Sequence, residues 1–209
     1  MFDNSKVVDI NVMIPELRKE NCELKSLKRN DDGSISFTFA DANGAELIHR
    51  EFKPSKVIGG KTLNDEEFKK NVSLITSRIA HITRAFVTQE TFEKIKTSQT
   101  DVDQAWAEYT KMTAGALGVD GTGMVGKAKG VKCALKVVYK NSKGKFYSSL
   151  PQVAPFISTE NHPKTFVANA QYDKFTIERV TPDKEEDVFK PAPTPLTPAG
   201  EAAPAADVW

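Results

Sequence analysis

The chain has 209 residues, of which 39% are hydrophobic, enough for one domain with a real core and a tail. Lys and Arg number 29 against 28 Asp and Glu, so the formal charge of +1 does not by itself indicate a polyanionic partner. Because no stretch approaches the roughly 18 apolar residues of a membrane span and the N-terminus lacks the apolar core of a secretion signal, we expect neither a membrane nor a secreted protein.

A three-stranded meander is predicted between Cys22 and Lys53, where apolar and polar residues alternate. The strands are 23–28, 34–39 and 46–53, joined by turns at 30–33 and 41–44, and Pro54 ends the third because proline cannot donate to a ladder. Phe37 and Phe39 share one face of the second strand. This pattern favours the core for both, with base stacking as a secondary role.

A helical insertion over about 63–113 follows. Asn64 is predicted as an N-cap with Glu67 at the third helical position. Apolar residues then recur at four-three spacing, which indicates an amphipathic helix: Phe68, Val72, Ile75, Ile79, Ile82 and Phe86. His81 lies within this helix, and we expect it to be structural. Further helix is predicted at 89–96 and 101–112.

The segment 115–130 contains six glycines in sixteen residues, and we expect a mobile loop. Residues 121–127 match the start of the phosphate-loop pattern, but Ala128 occupies the position of the magnesium-binding hydroxyl. The segment also follows a helix rather than a strand, so an NTPase is disfavoured. A flexible flap carrying Lys127 and Lys129 over a bound strand is the better interpretation.

The strongest predicted hairpin joins 131–140 to 145–150 through a turn at 141–144. Alternation places Lys132, Lys136 and Lys140 on one face, while the other face, which is expected in the core, carries Cys133, Leu135, Val137 and Tyr139. Short strands at 165–168 and 174–180 complete a predicted domain 1–180. Beyond it, 181–209 holds six of the eleven prolines, and a disordered tail is predicted.

The charges are polarised along the chain. Residues 121–159 contain seven lysines and no acid, whereas the six acids and two lysines of 181–209 give the tail a charge of −4. A solvated face is the alternative explanation for the lysines. Seven like charges without one acid are unusual on a mixed surface, which favours a partner with negative charge.

Three meandering strands, a helix and a further hairpin follow the element order of the OB-fold. We therefore expect a β-rich α+β protein, with an OB-fold-like antiparallel barrel, the helical insertion and a disordered acidic C-terminal tail. A generic α+β domain with a helix packed on an antiparallel sheet has the same order and remains open.

The β-rich body, the hairpin KVVYKNSKGKFYSSLP and the tail ending in Asp207, Val208 and Trp209 together resemble the single-stranded DNA-binding proteins of tailed bacteriophages and, in layout, bacterial ones. The resemblance implies a protein that binds and protects single-stranded DNA during replication or recombination. It also implies that the tail recruits replication or recombination enzymes. The helical insertion and the Gly-rich loop are larger than a minimal OB-fold needs.

Binding of single strands needs cations along the phosphates and flat side chains that stack on bases. The predicted nucleic-acid-binding residues are Lys127, Lys129, Lys132, Lys136, Lys140, Lys143, Lys145 and Tyr147. Tyr147 is preferred for stacking because it alternates with Phe146, so one of the two points outward. The sequence leaves open RNA as the ligand and a homo-oligomeric state.

No catalytic, metal or cofactor site is predicted. The three histidines are scattered over different elements, and the paired carboxylates fall in a turn and in the tail. Cys22 and Cys133 lack CxxC spacing and a neighbouring His, which indicates a reducing compartment such as the cytoplasm, that of a bacterial host if the protein is viral. The alternatives are a structural or adaptor protein of a virion or other assembly and, less favoured, a nuclease or NTPase.

Overall fold

The structure is a computed structural model that describes residues 18–142 and 145–166, excepting the side chains of 139–142 and 145–147. The fold is mixed α+β. Its elements in chain order are β1 (Arg18–Arg29), β2 (Ile35–Ala40), β3 (Glu46–Glu51), β4 (Val57–Ile58), β5 (Lys61–Thr62), α1 (Asp65–Phe86), α2 (Gln89–Glu93), α3 (Val102–Leu117), β6 (Lys132–Lys136), β7 (Val138–Ser142), β8 (Lys145–Ser149) and β9 (Ile157–Thr159).

A five-stranded antiparallel sheet in the order β3-β2-β1-β6-β9 forms the centre of the fold. The predicted meander β1-β2-β3 and both of its turns are confirmed, with Gly33 and Gly44 at positive φ as hairpin turns require. The short hairpins β4-β5 and β7-β8 are separate two-stranded sheets. Among the described residues no hydrogen-bonded ladder closes the large sheet into a barrel.

The helix α1 covers the inner face of this sheet. It begins with the predicted capping box, in which Asn64 accepts from the backbone of Glu67 and the Glu67 side chain accepts from the backbone of Asn64. Its apolar stripe packs against β1 and β2 in one core. The buried members of the core include Ile75, Ile79, Ile82, Phe86, Leu24, Phe37 and Phe39.

The helix α3 is longer than the predicted 101–112 and ends at Leu117, where Gly118 adopts the left-handed conformation of a C-cap. Two glycines of the predicted mobile loop therefore belong to this helix: Gly115 lies in its last turn and Gly118 is its C-cap. Trp106 Nε1 donates to the backbone carbonyl of Gly33 at 2.6 Å, which holds α3 against the first hairpin turn.

The rest of the Gly-rich segment is not a free flap, so this prediction is wrong. It lies along the same edge of β1 as β6 and pairs with β1 beyond Glu23, where the β6 ladder stops. Leu27 N donates to the carbonyl of Gly123, and Val125 N donates to that of Lys25. Val125 and Ala128 are buried in the core. The glycines serve close backbone contacts here: a Cβ at Gly123 would lie 3.3 Å from the carbonyl oxygen of Leu27.

The hairpin predicted for 131–150 is divided. β6 pairs with β1 and β9, then Val137 interrupts the strand, and β7 pairs with β8 in a separate ladder. Residues 165 and 166 are not in a strand, whereas the short strand β9, which the sequence pattern did not indicate, forms the sheet edge. The predicted strand at 174–180 and the tail 181–209 lie outside the described residues.

A buried ion cluster joins β3 to α1. The Glu51 carboxylate accepts two hydrogen bonds from the guanidinium of Arg78, and His49 Nε2 lies 2.7 Å from the same carboxylate. Side-chain exposures are 3% for Glu51, 5% for His49 and 17% for Arg78. Burial alone would raise the pKa of Glu51, but the bonds from Arg78 and His49 outweigh it and hold that pKa below its ordinary value.

A second link joins α1 to the segment that enters β9. His81 Nε2 accepts from the backbone N–H of Phe156 at 3.1 Å and of Ile157 at 3.3 Å, so the neutral ring is the bound form. Its edge also meets the Phe156 ring at a centroid distance of 4.7 Å. Burial, then the charges of His162, Lys164 and Arg84, lower the pKa of His81 to about 4. His81 is structural, as its place in the amphipathic helix predicts.

Replacing Arg78 by Met should lower the free energy of unfolding by about 3–5 kcal/mol, because it leaves the buried Glu51 carboxylate without its counter-charge. The loss should be smaller at pH 5 than at pH 7.5, since without Arg78 the burial of Glu51 favours its protonated form, which needs no cation. Urea unfolding followed by circular dichroism measures both. Lys61→Met, which breaks an exposed pair with Glu67, is the control and should cost below about 1 kcal/mol. Equal losses in the two variants would contradict the role of the cluster.

Stability should also fall as the pH drops from about 6.5 to about 4, the ordinary and folded pKa values of His81. The unfolded chain takes up this proton first, so stability is fully present above the ordinary pKa and lost toward the folded one, by roughly 2 kcal/mol. Urea unfolding over this pH range should show a smaller fall in stability for His81→Gln than for the wild type, whereas His162→Gln should show most of the wild-type fall. An unchanged pH profile in His81→Gln would exclude His81 as its source.

Candidate nucleic-acid interface

The side of the sheet opposite α1 carries an uncovered surface on β1, β2 and β3, which we call the outer face. Strand alternation places two cross-strand rows there, Ser26, Thr38 and Ile48 in one and Lys28, Ser36 and Arg50 in the next. All six side chains are exposed or half-buried, whereas their neighbours on the inner side are buried. Short polar side chains in the centre leave room for a flat ligand between cations on both sides.

Exposed apolar side chains border the outer face. Ile48 is 60% exposed, Phe52 59% and Met124 49%. Met124 belongs to the segment that runs beside β1 and forms an isolated β-bridge with Ser26. The Arg50 guanidinium carbon lies 5.0 Å from the centroid of the Phe52 ring, within cation–π range. An aromatic ring in water with a cation over one face can stack on a base and contact a phosphate at the same place.

The cations of the outer face differ in their partners. Arg50 donates to Ser34 Oγ at 2.7 Å and to Asp32 Oδ2 at 2.5 Å, in a pair whose side chains are 44% and 50% exposed. Hydrogen bonds from Ser34, with a smaller contribution from Arg50, lower the pKa of Asp32. Lys28 is exposed and forms no ion pair with another described residue, so its ammonium is available to a ligand.

A third cationic group lies at the β6 end of the same side. Lys132, directly opposite Glu23 across the β1-β6 ladder, and Lys25 both bond the Glu23 carboxylate at 2.6 Å. The bond from Lys132, then that from Lys25, lowers the pKa of Glu23 to about 2. Two lysines around one acid leave a net positive charge beside Ser26.

The predicted lysines are only partly brought together. Lys127 and Lys129 are exposed on the loop that follows α3, and Lys132 is on the side of the outer face. Lys136 is only 5% exposed, so the expectation that it belongs to an exposed stripe is wrong. The alternation is correct, but Ala134 and Lys136 are buried as well as Cys133 and Leu135 on the core side, so both faces of β6 are covered from Cys133 onward.

The other predicted residues are not placed. The side chains of Lys140, Lys145 and Tyr147 lie outside the described part of the chain, as do Lys143 and the tail residues Asp207, Val208 and Trp209. The backbone of β7 and β8 puts Lys140 directly opposite Tyr147 in the ladder. Phe37 and Phe39 are fully buried in the core, as their shared face predicts, which removes them as stacking candidates.

Sequence reasoning missed Lys28, Arg50 and Phe52. Alternation in 46–53 did separate Ile48, Arg50 and Phe52 from Leu47, His49 and Glu51, but it could not tell which set faces solvent. The inner set contains a histidine and a carboxylate, so hydropathy gives no clear choice. The observation that decides it is the bond of Glu51 to Arg78, which lies 27 residues further along the chain.

Comparisons of the chain with protein-family models, curated proteins and solved structures find no match. Within the described residues, no three or more His, Cys, Asp or Glu side chains are grouped as metal ligands would be. Over the same part of the chain, no helix is both long and apolar enough to cross a bilayer. The interface therefore has to be interpreted from its own residues.

Proposed function

We propose that the protein binds single-stranded DNA across the outer face and protects it during replication or recombination. The observation that carries this proposal is the exposed Phe52 ring under Arg50, at the border of an uncovered sheet surface of small polar side chains and cations. Single-strand binding combines cations that follow the backbone with rings that stack on successive bases, and both are present here. No catalytic role is part of the proposal.

An OB-like barrel is the finer fold that we propose. The order β3-β2-β1-β6 and the position of β8 near β3 support it, since an OB barrel is closed by its last strand against its third. Oligonucleotides bind OB-folds on the face of the second and third strands, which corresponds to the strands that carry Ser36, Thr38, Ile48 and Arg50. The fold and the interface thus support the same ligand class.

The lysines predicted from the sequence extend this interface. Lys132 lies on the same side of the sheet, and Lys127 and Lys129 are on the loop that borders it. We further propose that the tail residues Asp207, Val208 and Trp209 recruit partner enzymes of replication or recombination, since an indole beside carboxylates suits a small apolar pocket ringed by cations. RNA as a ligand and a structural or adaptor role are the alternatives that binding data would separate.

Binding of labelled oligo(dT) in fluorescence anisotropy should weaken steeply with salt, because phosphate contacts release counterions. Lys28→Ala should lower the slope of log Kd against log salt by about 0.7. The matched control is Lys111→Ala, which removes an exposed cation on α3 that forms no ion pair with a described residue, and its slope should equal that of the wild type. Absence of binding to oligo(dT), oligo(U) and duplex at low salt would reject the proposal in favour of a structural or adaptor role.

Phe52→Ala should weaken binding of oligo(dT) by about 1–3 kcal/mol through loss of one stacking contact, with little change in thermal stability because the ring is exposed. Phe92→Ala is the matched control, since Arg84 lies 5.6 Å from the centroid of that ring on the short helix α2, away from the outer face. Equal affinities of the two variants would remove Phe52 from the interface. A fall in melting temperature without a change in affinity would assign the ring to packing instead.

A further inference from the structure

A cleft lies beyond the end of β3, between the β4-β5 hairpin, α1 and the segment that follows β8. Its volume is about 510 Å³, within the range of pockets that hold small ligands. Phe52 and Arg50 form the edge that it shares with the outer face. A strand crossing the outer face would therefore pass the mouth of this cleft.

The walls of the cleft are apolar and open to solvent. Phe52 is 59% exposed, Val57 56% and Ile58 49%, and the buried Ile75 of α1 lies at their base. The hairpin that presents Val57 and Ile58 turns through Gly59 and Gly60, both at positive φ, and its two strands are exposed throughout. Large apolar side chains grouped in this way mark a binding site, because isolated exposure is ordinary and clustering is not.

The charged groups at the cleft favour an anion. Arg50 and Lys53 lie along it, and their partners Asp32 and Asp103 are exposed carboxylates outside its lining. Such surface pairs contribute little, so a phosphate can replace the carboxylates at small cost. Glu51 is the one carboxylate among the described residues that line the cleft, and Arg78 and His49 already bind it.

Asn71 of α1 supplies a polar group to the cleft. It is half-buried in the lining of the cleft, and its amide forms no hydrogen bond with another described residue. A side-chain amide offers a donor and an acceptor side by side, the pattern that reads the edge of a nucleobase. An apolar slot, a base-reading amide and phosphate-binding cations thus lie together.

We propose that the cleft binds one unstacked nucleotide, with the base between Phe52, Val57 and Ile58, its edge on Asn71 and its phosphate at Arg50 and Lys53. This inference rests on the proposed function, since the nucleotide belongs to the bound strand. A free mononucleotide carries the same chemistry and is the other source to be distinguished. The outer face alone would bind any sequence. The cleft would add a preference for one base at one position.

The cations and the amide favour a nucleotide over a protein segment. A peptide would need to satisfy Arg50 and Lys53 with its own carboxylates and would not require an amide at the base of an apolar slot. The shared edge with the outer face gives the strand a direct path into the cleft. A peptide in the cleft would contradict the inference.

Asn71→Ala should reduce selectivity among bases without abolishing binding. In anisotropy titrations with oligo(dA), oligo(dC) and oligo(dT), the variant should lose about tenfold in affinity for the homopolymer that the wild type prefers and less than about twofold for the others. Gln104→Ala, which removes an exposed amide on α3, is the matched control and should keep the wild-type ratios. Unchanged ratios in Asn71→Ala, or an equal loss for all three, would overturn the proposal.

NMR of the labelled protein separates the sources of the ligand and keeps the two proposals distinct. The Asn71 side-chain amide and the methyl groups of Val57, Ile58 and Ile75 should shift with a short strand and, at millimolar concentration, with one of dAMP, dCMP, dGMP or dTMP. Shifts with the mononucleotide alone would assign the cleft to a free nucleotide. Shifts that a strand induces at Ser36 and Thr38 but not in the cleft would overturn the inference, leave the proposed function intact and open the cleft to a protein segment. If the strand shifts neither region, the proposed function fails with it.

Discussion

The buried carboxylate of Glu51 fixes the relation of β3 to α1. An ionised group at 3% exposure persists only with a counter-charge and hydrogen bonds, and Arg78 of α1 supplies both. Since a strand alternates strictly, placing His49 and Glu51 inside places Ile48, Arg50 and Phe52 outside. The composition of the outer face therefore follows from an interaction on the inner one.

This constraint reverses the usual distribution of residues in β3 beyond Leu47. The strand buries a histidine and a carboxylate and exposes an isoleucine and, just past its end, a phenylalanine. Exposure of Ile48 and Phe52 gives up the free energy that their burial would have contributed, about 25 cal/mol per Å² of apolar area. The cluster anchors Glu51, the last residue of β3, so the exposed Phe52 ring follows directly after a fixed residue.

Much of the fold could be predicted from local patterns. The meander, its two turns and the capping box of α1 depend on neighbouring residues, and all are present as expected. The Gly-rich segment departs from its prediction because glycine density indicates freedom only where no partner is present, and here the backbone of β1 is the partner. Lys136 departs from its prediction for a similar reason: period two assigns a side, but contacts distant in sequence decide whether that side is covered. The residues of the candidate interface depend on such long-range contacts, so alternation alone does not identify Arg50 and Phe52.

The central position of β1 has a consequence for how the chain acquires its structure. One edge of β1 is paired at once by β2, but the other must wait for β6, about one hundred residues later, because Glu23 pairs with Lys132. Contacts so distant in sequence slow the search for the native state, since the intervening loop must first be closed. While the chain is being synthesised, the meander and the insertion can form with one strand edge of β1 unsatisfied, and such an edge is prone to pair with other chains. In the folded protein the segment at Gly123 and Val125, which precedes β6 in the chain, covers part of this edge through its backbone bonds to Leu27 and Lys25, so protection of the edge does not depend on β6 alone.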